Sequence, residues 1–332
     1  MAMLILLLAA ELSVRVFDLW QNTTIARASA LDELKWLPGS KWQGRTINRL
    51  GYWDDEFDGR PRAGTFRIAA LGHSLALSGS AENNCLVQVE HRVPRLDVFN
   101  FGLRGAGPRE FVAQAGADVW THRPDLVLVF LSIGDDDAPQ TTTSDAPWWK
   151  PRLASVARRG SPTNYATSAN APDPHELRLR RGVRQMRICR IPQDAQQRGD
   201  WRAASKHLES LLAECRDRGV ELAMVLVPAD FQLNSRLRDA IVRRSGGEAS
   251  DYDFELPQRR WTRFAEQRNI ALLDLLPSLR AARQPVYSPD AADFSDPGLT
   301  LASATLGDWL RVRYEPAISA TAQAGRGATP VP

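Results

Sequence analysis

Imidazole is scarce in this chain. Its five histidines are His73, His91, His122, His175 and His207, so nothing beyond residue 207 offers a ring nitrogen as a proton acceptor. Cysteine is scarcer: Cys85, Cys189 and Cys215 form an odd set without metal-ligand spacing and read as buried or free thiols. Lysine is nearly absent, arginine supplying almost all the basic charge, and a net charge of +3 is too small to argue for nucleic acid. No glycine-rich phosphate loop, zinc motif, nucleic-acid module or internal repeat occurs, and no cofactor is implied. Long hydrophobic runs are missing too. Met1 to Ala10 is wholly apolar, but Glu11, Arg15 and Asp18 interrupt the apolar residues beyond it. A bilayer-spanning helix needs about 20 apolar residues. The positive start and small-residue cleavage site of a secretory signal are also lacking. A run as aliphatic as Leu4 to Leu8 needs cover. Residues 1–20 are therefore expected to form a hydrophobic helix that meets membrane lipid, as a short or tilted anchor or an interfacial helix; an ordinary packed helix is the alternative.

What remains is the composition of a globular protein, 43% hydrophobic and 24% charged. Residues 21–65, with Trp36, Trp42, Tyr52 and Trp53 among glycines and charges, read as a linker lying on the domain. Phe66 to Leu71 is too short for a helix, breaks at Gly72 and delivers Ser74: a strand and turn. A helix over Ala81 to Val93 and a strand over Leu96 to Phe101 come next, then the glycine-rich Gly102 to Gly107. Pro108 opens a helix, and Asp125 to Leu131 is nearly continuous hydrophobics, as a strand covered on both faces should be. The same rhythm returns with a helix over Trp201 to Cys215, a strand over Val220 to Val227, a helix from Pro257, a strand at Ile270 to Leu273, and a closing helix through Leu310. Alternation of this kind predicts a three-layer α/β/α domain with a central parallel sheet over residues 66–314. Residues 138–198 break it as a long insertion. Its second half is basic, through Arg178, Arg180, Arg181, Arg184, Arg187 and Arg190: a solvated helical face, or a contact surface for anionic lipid or an acidic partner. The alanine-, glycine-, threonine- and proline-rich end predicts a disordered tail over 315–332.

Three landmarks in this order resemble the SGNH (GDSL-type) hydrolases, especially bacterial membrane-anchored and cell-surface members. They are the strand ending Gly72-His73-Ser74, the block Asn100-Phe101-Gly102-Leu103-Arg104-Gly105, and the strand ending Gly134-Asp135-Asp136. A C-terminal block, Asp290-Ala291-Ala292-Asp293, looks like the family's Asp-x-x-His. The resemblance covers about residues 45–313 and implies a flavodoxin-like sheet. It implies Ser74 as nucleophile, a backbone N–H from Gly105 in the oxyanion hole, and an extracytoplasmic setting.

The departures from that pattern govern the functional expectation. Asp293 stands where the family has the histidine base, and a free aspartate, titrating near 3.9, is a feeble base toward a hydroxyl. Asp290 would repel Asp293 rather than orient it. Asp135 (or Asp136, if the alignment is shifted by one) replaces the oxyanion asparagine and brings negative charge where negative charge develops; losing one such donor costs about 3 kcal/mol in a well-studied hydrolase. His73 replaces the first-block aspartate and is a candidate surrogate base, although neighbouring side chains at a turn commonly diverge. His73, Asp135, Asp136, Asp290 and Asp293 are expected to share one crevice. No metal is expected there, Asp136, Asp290 and Asp293 being weak candidate ligands. The expectation is a membrane-associated, catalytically degenerate protein with a binding or structural role, as an accessory subunit meeting membrane partners through the insertion. The alternative is an active serine esterase acting on cell-envelope carbohydrate or acyl groups.

Overall fold

The computed structural model describes residues 31–57, 64–135, 173–288 and 293–327. Residues 1–30, with the expected N-terminal helix, lie outside them, as do Asp136 and Asp290. Among the described residues no helix is long and apolar enough to cross a membrane.

A small antiparallel hairpin, β1 (Lys41–Trp42) and β2 (Arg45–Thr46), precedes the main sheet. That sheet comprises β3 (Phe66–Leu71), β4 (Leu96–Asn100), β5 (Leu126–Ser132), β6 (Glu221–Val227) and β7 (Ala271–Asp274). All neighbours pair in parallel, in the order β4-β3-β5-β6-β7. Counted from β3 this is the 2-1-3-4-5 order of flavodoxin-like folds, whose strand order reverses between the first and third strands. A parallel sheet must be covered on both faces, and the near-continuous apolar runs of β3, β5 and β6 reflect that. On one face Ala69, Leu71, Val127, Val129, Met224 and Leu226 join one core; on the other Ile68, Ala70, Leu128, Phe130 and Val225 join a second.

The first core is closed by α3 (Pro108–Ala117), α5 (Ala195–Asp217) and α8 (Leu256–Arg268). The second is closed by α2 (Cys85–Arg92), α9 (Leu276–Arg280) and α10 (Asp296–Gly327). Short α1 (Ser74–Leu77) comes directly after β3, and α6 (Asp230–Leu233) and α7 (Ser235–Ser245) come after β6. The three layers and parallel sheet match the architecture read from the sequence.

Two elements differ from expectation. Where a disordered tail was expected from residue 315, α10 runs on to Gly327, because Tyr314 and Ile318 continue its buried stripe against β3 and its neighbours. Within the insertion, Pro174–Met186 forms a full helix, α4, capped by the Asp173 carboxylate on the His175 N–H. Its arginines had masked an apolar face of Leu179, Val183 and Met186 that packs on the first core.

The candidate active-site crevice

The strand order reverses between β3 and β5, so their carboxyl ends flank the crevice where such sheets place ligands. The end of β3 passes through Gly72, where a Cβ would stand 2.7 Å from the Phe130 Cβ of β5. His73 is the residue preceding α1, and Ser74 opens that helical turn. The Ser74 side chain lies outside the described part of the structure.

His73 is half-buried, and its Nδ1, itself buried, has no hydrogen-bond partner among the described residues. Burial pushes its pKa down to about 4, with Arg181 and Arg104 adding to the effect and Asp135 and Asp293 opposing it. The same set of charges shows which predicted residues the fold brings together. His73, Asp135 and Asp293 do converge, and Arg104 lies near them from the second block. Gly105 in that block adopts φ +78. Asn100 is structural: its amide donates to the Ala76 carbonyl at 2.8 Å and its Oδ1 accepts from the Gly102 N–H at 2.9 Å.

Asp135 closes the turn after β5, its N–H donating to the Ser132 carbonyl. Its side chain is buried, and Oδ2 accepts from Arg181 Nη2 at 2.6 Å and from Gln185 Nε2 at 2.9 Å. Burial works against the Arg181 charge, but Asp135, helped by Tyr287 and Asp293, outweighs it and holds the guanidinium above its ordinary pKa. One helical turn earlier Arg178 grips Asp230, Nη2 lying 2.5 Å from Oδ2. Burial raises the Asp230 carboxyl against the pull of that arginine. Asp293 accepts from the Ser78 hydroxyl and from the Phe294 N–H at 2.8 Å. The backbone bridge between Tyr287 and Phe294 and the Tyr287 hydroxyl bond to the Pro228 carbonyl (2.6 Å) fix this segment against the end of β6. Asp135, Arg178, Arg181, Gln185, Asp230 and Asp293 line a pocket of about 510 Å³, open solvent included, and His73 is not part of its wall.

Among the described residues no group of three or more His, Cys, Asp or Glu is placed to hold a metal ion. Two arginines of α4 supply countercharge to Asp135 and Asp230. Sequence reading missed Arg178, Arg181 and Gln185 as crevice residues. Their spacing of three and four places them on one helix face, a signal present inside the basic run but obscured by arginines on every other face. Other histidines are elsewhere: His91 and His175 are exposed, and His122 is buried between Phe57, Phe99 and Phe101.

No protein-family model and no curated protein matches the chain. Solved structures do match. Among them are G-D-S-L lipolytic proteins and acetyl esterases. A lipase/acylhydrolase from Enterococcus faecalis is 12% identical, covering 75% of this chain and 97% of its own at a TM-score of 0.41. A G-D-S-L lipolytic protein from Veillonella parvula is 11% identical over 74% of this chain and 97% of its own, at 0.41. An acetyl-xylooligosaccharide esterase from Geobacillus Stearmophilus is 15% identical over 76% and 95%, at 0.42.

Proposed function

We propose that this chain is a catalytically silent, membrane-associated protein of SGNH-hydrolase-like architecture, whose crevice has passed from hydrolysis to a binding or structural role in an extracytoplasmic complex. The observation that carries the reading is the Asp135–Arg181 pair. A carboxylate, locked by a guanidinium and the Gln185 amide, stands at the sequence position to which the resemblance assigns the oxyanion asparagine. It has no N–H to offer a developing oxyanion.

Proton transfer is weakened by the same residues. Asp293 spends Oδ1 on Ser78 and a backbone N–H, and no described imidazole other than His73 approaches it. His73 is unprotonated at neutral pH, but a ring held at about 4 is no more basic than an ordinary carboxylate. A general base serves best with a pKa near the working pH. The membrane assignment rests on the apolar run Met1 to Ala10 at the head of residues 1–20, and the partner assignment on the basic insertion.

The test is turnover of para-nitrophenyl acetate by the full chain beside Ser74→Ala. Both are expected to match the uncatalysed background between about pH 6 and 9, across which an ordinary imidazole loses its proton. Turnover abolished by the substitution would overturn the reading and establish the esterase alternative. Stoichiometric partners recovered from solubilised membranes test the binding role; a chain that leaves membranes in low salt as a lone monomer contradicts it.

A further inference from the structure

Six arginines crowd residues 178–190, and the fold divides them between different tasks. Arg178 and Arg181 serve the crevice acids, and Arg180 pairs with Glu176 on its own helix at 2.7 Å. Arg184 and Arg187, at the far end of α4, are exposed and in no ion pair within 4.0 Å among the described residues. With Arg260 of α8 they rim a second pocket, of about 450 Å³ with open solvent included, that shares no lining residue with the crevice.

The other walls of this pocket are as particular as its rim. Trp201 is half-buried, its ring centroid 4.3 Å from that of buried Trp261, and the Arg260 guanidinium lies 5.4 Å from the Trp201 ring centre. The indole is thus held in place by packing. Gln193 spends its Nε2 on the Ile188 carbonyl at 2.8 Å, while its Oε1 is buried without a hydrogen-bond partner. An orphaned buried acceptor is costly unless a donor reaches it. Asp200 adds a second acceptor, its carboxyl pushed up by burial and drawn down by Arg187. The pocket also opens between the first two turns of α5 and α8, which carry Gln197, Asp200 and Trp201 on one side and Pro257 and Arg260 on the other. Both helices present their positive ends there.

We propose that this pocket binds a small organic anion that has a flat apolar portion and a hydrogen-bond donor. The guanidinium rim takes the anionic group, through the charge-assisted bonds at which arginine excels. The Trp201 face takes the flat portion. Asp200, beside the Gln193 side chain, takes the donor, and the site is a solvent-open concavity with room at its rim for a small anion. The proposal is independent of what the crevice does, since neither residues nor chemistry are shared.

Calorimetric titration of the full chain with para-hydroxyphenylacetate tests it. Saturable one-to-one binding is expected, weakened about tenfold or more for phenylacetate, which lacks the donor, and for para-hydroxyphenylacetamide, which lacks the charge. Arg187→Glu and Arg184→Glu, both at exposed positions, are each expected to weaken binding about tenfold. Three outcomes overturn the proposal: no binding of para-hydroxyphenylacetate at millimolar concentration, inorganic phosphate binding as tightly, or affinity unchanged in both variants. Should a variant fail to fold, the comparison of the four ligands on the native chain still decides.

Discussion

At the scale of single residues, His73 makes the crevice's history measurable. The unfolded imidazole titrates near 6.5, whereas in the folded chain burial holds it near 4, between Asp135 and Asp293 on one side and Arg181 and Arg104 on the other. Between those values the unfolded state binds more protons than the native one. Stability therefore climbs as pH rises from about 4 to about 6.5, levels off above, and is lost as pH falls through the folded value. The full shift corresponds to at most about 3 kcal/mol. His122 is also lowered, chiefly by burial, and contributes in the same direction. The difference between native chain and variant isolates His73. Urea unfolding at pH 4.5, 5.5 and 7 is expected to show a smaller pH dependence in His73→Gln, by about 2 kcal/mol over that range. Equal pH dependence in both chains would mean that the ring titrates normally and that the crevice is wetter than described.

Among the elements, strands were legible and α4 was not, for the same physical reason. A strand covered on both faces is mostly apolar, so β3, β5 and β6 announce themselves as near-continuous hydrophobic runs, charged only at Arg67 in β3 and at Glu221 at the start of β6. A helix announces itself only through the contrast between its faces. In α4 that contrast is blurred, because the inward face carries Arg178, Arg181 and Gln185 as well as Val183 and Met186. The candidate site was legible to the same degree. His73, Asp135 and Asp293 lie at strand ends or next to a turn and could be placed by counting strands. Their countercharges come from a distant segment whose docking depends on tertiary contact. The contact that docks α4 is specific. Gly134 adopts φ +84, and a Cβ there would meet Gln185 at 2.7 Å from both its Cβ and its carbonyl oxygen. Backbone on the helix side leaves no flexible atom to move aside. Gly134→Ala is expected to cost about 2–3 kcal/mol from strained φ and overpacking together, read as a lower urea midpoint with little change in slope. A cost near zero would show that α4 slides freely on the turn after β5, and that the Asp135–Arg181 pair is not held by this contact.

For the whole molecule, the arrangement of strands leaves two edges, and the segment over residues 31–57 deals with one of them. Strand β4 is at the end of the sheet order, and an unprotected edge of parallel strand invites pairing with a second chain. Tyr52 anchors the segment by donating its hydroxyl to Asp118 Oδ2 at 2.6 Å, an oxygen that Lys35 approaches at 2.7 Å. Phe57 packs against Phe99 and Phe101 at the same edge. Between these anchors Asp54 Oδ2 accepts the Asn100 N–H of β4 at 2.8 Å, while its Oδ1 accepts from Arg45 Nη1 at 2.8 Å. One carboxylate thus satisfies an edge amide and ties it to the hairpin of β1 and β2. Asp54→Ala removes both bonds and leaves an edge donor and a largely buried guanidinium without their acceptor. A loss of about 2–3 kcal/mol is expected from uncompensated buried donors. The second consequence is collective: the bared strand is a template, so the variant is expected to self-associate at concentrations where the native chain does not. Sedimentation at increasing concentration separates the two effects, because Tyr52→Phe, which loosens the segment without freeing the Asn100 amide, should lower stability alone. If both variants associate equally, protection of the edge belongs to the packed segment as a whole and not to the carboxylate.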